Sequence, residues 1–192
     1  MEENKWFGRR KKKKAVLKIS EIVKENSMIP ESSSLSRYNN EEVEFHRWDL
    51  IVRYLAIENH LGENDYGWRL YRNLRIHQSA EFGDGTVQSD YDQTARRGFE
   101  ELIDSVKLKG YKRKYPIPVN ADTLRLNGGA QRLMCCIYFG IDEIPVIVDH
   151  FDPDADYPLD WFSLHGFEAD DIQLIKDGQL RMFEKMSNYE WE

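Results

Sequence analysis

The stretch Leu126-Asn127-Gly128-Gly129-Ala130-Gln131-Arg132 holds the residue types and spacing best suited to chemistry in this chain. Leu124 and Leu126 alternate as strand residues do, and Leu133, Cys136 and Ile137 follow on a helical stripe. A strand that passes through Gly-Gly into a helix leaves backbone N–H groups and a helix amino end at one point, where an anion binds. Arg132, in the first turn, offers a bidentate fork to a phosphate. On local pattern alone, a plain strand-to-helix turn with a surface arginine has equal weight.

Carboxylates come from the N-terminal half. Residues 44 to 61, EFHRWDLIVRYLAIENHL, predict a helix with one stripe of Trp48, Ile51, Val52 and Leu55 and a second of Leu50, Tyr54, Ile57 and Leu61. Two apolar faces imply a largely buried helix, so its charges are informative. Glu58 falls in line with Ile51, Tyr54 and Leu55 and points inward, where it needs a partner or its pKa rises. Asp49 and Arg53 are spaced i,i+4, either as a surface-type pair worth a few tenths of a kcal/mol or as part of a site. Asp65 follows in the break Gly62-Glu63-Asn64-Asp65-Tyr66-Gly67. Asp49, Glu58 and Asp65 are the candidates for general base or metal ligand, in no settled order.

Cations come next. GWRLYRNLRIHQ predicts a second helix with Arg69, Arg72 and Arg75 at three-residue spacing, a set suited to a multiply charged anion or to a solvated basic face. Residues 79 to 94 are rich in glycine and aspartate and read as a mobile loop beside the pocket; Asp84, Asp90 and Asp92 are its reserve carboxylates. Arg96 and Arg97 open the next helix and join the anion-binding candidates.

These groups must be positioned by a small set of elements. Tyr115 to Asp149 reads as strand, turn, strand, glycine turn, helix, short loop, strand. Asp152, Asp154 and Asp156 suggest a calcium loop, but the glycine at the sixth position and the closing glutamate are missing. The tail from Leu159 to Met186 predicts two short helices that pack Trp161, Phe162, Ile172, Ile175, Met182 and Phe183 on the core. Cys135 and Cys136 are neighbours on a helix, diverge, and read as small core residues of a reducing compartment.

Composition sets the outer limits. The 192 residues suit one compact domain, with 41% hydrophobic content to supply a core. No run approaches the roughly 20 apolar residues of a membrane span, and no secretory h-region is visible. Net charge is -7, yet Arg9 to Lys14 is a run of six cations. Removing those six from the 27 basic residues leaves 21 against 34 acidic ones, a balance of -13. An acidic body is a poor platform for nucleic acid. The arm at residues 9 to 14 is either a solvated tail or a contact for an anionic membrane surface, nucleic acid or a partner protein.

Residues 96 to 149 resemble the ParB/sulfiredoxin fold. The resemblance is carried by the helix from Phe99 to Gly110, the strand from Pro116 to Val119, Gly129-Ala130-Gln131-Arg132 in place of a Gly-x-x-Arg phosphate motif, and Gly140-Ile141-Asp142-Glu143-Ile144-Pro145-Val146 as the exit into a strand. It implies an α+β fold with a small mixed sheet, divided as a basic arm at 1–14, expected to be disordered, an N-terminal helical region at 15–95, the core at 96–150 and a C-terminal helical extension at 151–192. Ala130 stands where sulfiredoxins carry their reactive cysteine, Gln131 where histidine is common, and Gly128 where kinase- and nuclease-type members place Asp. Sulfinic-acid reduction is therefore not expected.

A narrower likeness involves Arg47-Trp48-Asp49, Arg53, Ala56-Ile57-Glu58-Asn59, Gly62, Asn64-Asp65, Gly67-Trp68 and Leu70-Tyr71 ahead of that core. This arrangement resembles small proteins that accompany bacterial glycosyltransferases in capsule and O-antigen pathways. It implies a cytoplasmic enzyme, at or near the inner face of the membrane, that moves phosphoribosyl from phosphoribosyl diphosphate to a glycan acceptor. A glycosyltransferase or a phosphatase would be its partner and Mg²⁺ its cofactor. Gly128, Gly129, Gln131 and Arg132 would cradle one phosphate, and Arg53, Arg72, Arg75, Arg96 and Arg97 would supply the other. The rivals are a nucleotide-dependent small-molecule kinase on the same cradle and a nucleic-acid-binding or nucleotide-switch module.

Overall fold

The computed structural model describes residues 13–25, 47–81 and 91–186. Among them the fold is α+β, with seven α-helices around a three-stranded mixed sheet. The elements are β1 (Lys13–Lys18), α1 (Ile19–Glu25), α2 (Trp48–His60), α3 (Gly67–Glu81), a π-helical turn (Tyr91–Arg96), α4 (Arg97–Lys109), β2 (Ile117–Asn120), α5 (Ala130–Tyr138), β3 (Glu143–Asp149), α6 (Leu159–Leu164) and α7 (Ala169–Met186).

The sheet order is β1-β3-β2. β3 lies in the centre, antiparallel to β1 with Val16 opposite Pro145, and parallel to β2 with Ile117 opposite Val146. The parallel pair needs a crossover, and α5 supplies it. Ile117 and Val119 of β2 and Ile144 and Val146 of β3 alternate inward, so one sheet face is buried.

Two expectations change here. The strand proposed around Leu124 and Leu126 shrinks to a single bridge between Leu126 and Val119. Leu124 takes a φ of 52°, the only non-glycine positive φ among the described residues, and that conformation ends pairing. The N-terminal boundary also moves. Lys13 and Lys14, assigned to the basic arm, begin β1, so the region from residue 15 is not purely helical. Its lysines suit an edge strand, where charge blocks further pairing. The rest of the arm, and residues 82–90 with Asp84 and Asp90, lie outside the described residues.

Helix α2 is the centre of the core. Every residue from Trp48 to Glu58 is buried. It packs on α3, α5 and α7, and each fully buried Leu or Ile contributes about 2 kcal/mol. Asn64 joins α2 to α3: its Oδ1 accepts from the N–H groups of Tyr66 and Gly67, and its Nδ2 donates to the Leu55 carbonyl. Asn59 Oδ1 accepts from Trp68 N. These bonds satisfy the amino end of α3, a helix-capping role for the Asn59, Asn64 and Gly67 of the sequence pattern. At Gly67 a Cβ would lie 2.0 Å from the Leu55 carbonyl oxygen, so only glycine lets the two helices approach this closely.

Gly67→Ala should therefore destabilise the fold by about 3 kcal/mol, the upper part of the range for overpacking. Gly98→Ala, where a Cβ meets nothing within 4 Å, should be neutral or gain about 0.5 kcal/mol. Urea unfolding of both variants checks the contrast; equal midpoints would refute the close approach.

Candidate functional site

A cleft of about 960 Å³ opens between α2, α3, the start of α4, the glycine turn and the loop before α6. Its floor begins at the turn. Gly128 and Gly129 both have φ of 83°, and Gly129 caps α5 with no side chain. A Cβ on Gly129 would lie 2.9 Å from Ile117 Cγ2, whereas one on Gly128 would meet nothing within 4 Å. The first intrahelical bond runs from Leu133 N to Gly129 O. The N–H groups of Ala130, Gln131 and Arg132 thus have no acceptor within the helix, at the positive end of its dipole. Gly128 N is taken: it donates to Asp154 Oδ1 at 2.8 Å. The Gln131 side chain donates to the Tyr71 hydroxyl. Arg132 Nη1 donates to the carbonyls of Pro116, at 2.8 Å, and Tyr115, at 3.3 Å, so this arginine also ties α5 to the entry of β2.

The opposite wall is an ion cluster. Arg47 donates from Nε to Asp49 Oδ1 at 2.8 Å and from Nη2 to Asp49 Oδ2 at 3.1 Å. Arg53 Nη1 donates to Asp49 Oδ2 at 2.8 Å and to the Asp49 carbonyl at 2.7 Å. Arg53 Nη2 and Arg75 Nη1 both reach Gln78 Oε1. Burial alone would raise the Asp49 pKa, but Arg47 and Arg53 outweigh it and hold the carboxyl below its ordinary value of 3.8. Burial likewise opposes charge on Arg47, and Asp49 more than compensates.

The loop Phe151 to Tyr157 closes the rim. Asp154 N donates to Leu126 O, Asn127 Nδ2 donates to Asp152 O, and Trp48 N donates to Tyr157 O. These bonds bring Asp152 and Asp154 to the cleft. Among the described residues the Asp152 carboxylate pairs with no cation.

Of the residues expected at a site, Asp49, Arg53, Arg75, Gly128, Gly129, Gln131 and Arg132 line this one cleft. Glu58 does not. It lies on another side of α2, where Arg181 holds it at 3.0 and 2.9 Å and Asn64 adds a third bond. Asp65 is exposed at the α2–α3 connection. Arg69 pairs with Asp171, Arg72 is exposed, Arg96 pairs with Glu100 over the Trp68 ring, and Arg97 pairs with Glu101. Arg47, Gln78, Asp152 and Asp154 were missed as site residues. Arg47 had one signal, its place just before a buried aspartate; the others arrive through long-range folding. No protein-family model, curated protein or solved structure matches the chain.

Among the described residues no three His, Cys, Asp or Glu side chains converge to hold a metal, and the Asp49 lone pairs go to arginines. Cys135 and Cys136 are buried thiols outside any disulfide. Burial raises both thiols, Cys136 to about 12, which leaves neither as thiolate at neutral pH.

Asp49 gives a pH prediction. Its folded pKa is depressed, so its stabilisation is fully present above the unfolded value near 4 and is lost as pH falls through the lower folded value. Asp49→Asn should lower the melting temperature at pH 7 and flatten the acid limb of a stability–pH curve. An unchanged acid limb would contradict this pairing.

Proposed function

We propose that the chain is a transferase for a phosphorylated sugar donor, passing phosphoribosyl from phosphoribosyl diphosphate to a glycan hydroxyl. The observation that carries the reading is convergence: a helix amino end and four arginines (Arg47, Arg53, Arg75 and Arg132) line one cleft with Asp152, a carboxylate that no cation pairs among the described residues. The β2–glycine turn–α5–β3 unit supports the finer proposal of a ParB/sulfiredoxin-like core.

In this reaction the bond from the anomeric carbon to the diphosphate oxygen breaks, and its electron pair leaves with the diphosphate. The acceptor oxygen bonds to that carbon and its proton passes to a carboxylate. The arginines neutralise the leaving group, as preorganised charge does at a developing anion. Asp49 lines the cleft, but its oxygens are committed to two guanidiniums; Glu58 is buried against Arg181, and Asp65 is exposed outside the cleft. In this proposal the base is Asp152, which is exposed and has no cation partner among the described residues. A cytoplasmic setting beside a glycosyltransferase or phosphatase belongs to the same proposal; among the described residues no helix is long and apolar enough to cross a membrane.

Incubation with phosphoribosyl diphosphate, water standing in for the acceptor, should release diphosphate. Asp152→Asn should lower that turnover roughly 10²-fold, the low end of a general base contribution, while Asp65→Asn and a folded Cys135→Ser/Cys136→Ser variant keep it. Arg132→Ala should weaken donor binding and also cost about 1 kcal/mol of stability, because it loses its carbonyl bonds. ADP formation from ATP with no diphosphate release would replace this reading with the kinase.

A further inference from the structure

We propose that Arg47, with Arg53 and Arg75, forms a second anion subsite beside the glycine turn, so that the cleft selects a diphosphate group over a single phosphate. The inference rests on reading the cleft as a phosphate site, not on the transfer step.

Buried polar atoms normally find partners. Among the described residues four buried side-chain nitrogens or oxygens have none, and three of them are Arg47 Nη1, Arg53 Nε and Arg75 Nε. All three arginines line the cleft; the fourth atom, the Tyr54 hydroxyl, belongs to a residue that does not. Arg47 is 1% exposed. A buried N–H on a charged group left without an acceptor costs more than a neutral one. Three charged donors left without a protein acceptor, on three arginines that line one cleft, mark this wall as a place for an anion. Asp49 is the positioning residue: it fixes Arg47 and Arg53 from behind, so both guanidiniums are ordered before a ligand arrives.

The second cradle, the amino end of α5, borders this wall. Asp154 shows the adjacency, because its Oδ1 accepts from Gly128 N while its Oδ2 lies 3.6 Å from Arg47 Nη2. The Asp154 carboxylate thus spans the junction between the two donor sets. Two linked phosphates would occupy both sets as one molecule, and the second contact is then intramolecular, which favours a diphosphate over two separate ions.

The test is calorimetric titration of the full chain with inorganic pyrophosphate and with inorganic phosphate at matched ionic strength. Pyrophosphate should bind at least tenfold tighter. Arg47→Lys and, separately, Arg75→Ala should each cut pyrophosphate affinity about tenfold and leave phosphate affinity within about twofold. Arg75 is only half-buried, so its variant carries the test should Arg47→Lys fail to fold. Equal affinity for the two anions, or folded variants that keep the preference, would overturn the subsite. A pyrophosphate preference that depends on these arginines, without diphosphate release from phosphoribosyl diphosphate, would support the subsite and remove the transferase. Diphosphate release with no such preference would do the reverse.

Discussion

Helix α2 has no solvent-facing side from Trp48 to Glu58, and that constraint organises the protein. Charges on a fully buried helix must be neutralised by other parts of the chain. At the amino end Asp49 takes Arg47 and Arg53. Farther along, Glu58 takes Arg181 from α7. The first pairing settles where the chain enters α2, and the second settles where α7 docks. Removing Arg181 would leave the buried Glu58 carboxylate without its ion-pair partner, which costs about 3–5 kcal/mol.

The two clusters solve the same problem differently. Around Glu58 the bonding is closed: both carboxylate oxygens accept from Arg181, Asn64 adds a bond, and Arg181 also donates to the Tyr66 hydroxyl. Around Asp49 the carboxylate is satisfied but its arginines are not. The unsatisfied donors belong to arginines that line the cleft. The closed cluster explains packing, and the open one explains why a cleft lined by four arginines persists in a chain of net charge -7.

Local signals in the sequence marked what local forces build. Periodicity gave α2, α3 and α4, and Gly128-Gly129 gave the turn into α5, because left-handed φ values favour glycine. The inward Glu58 was legible from its stripe, and its partner, 123 residues away, was not. Arg96 and Arg97 read from sequence as ligand-facing, yet each has a glutamate four residues on, Glu100 and Glu101, that competes for it. β1 was hidden because a lysine run reads as a solvated tail until a sheet edge is there to receive it. Asp152 and Asp154 reach the cleft only because the loop after β3 is stitched to Leu126 and Asn127, a contact no local pattern encodes.

The Asp49 geometry also separates two roles that a buried carboxylate beside a cleft can play. A general base needs a free lone pair and a pKa near the working pH. Asp49 accepts three side-chain bonds from two guanidiniums, and those same charges press its pKa down. Each interaction that makes it a better anchor makes it a worse base. The carboxylate that holds the arginines in place is therefore not free to take a proton, whereas Asp152, at the rim, has no guanidinium on its oxygens among the described residues.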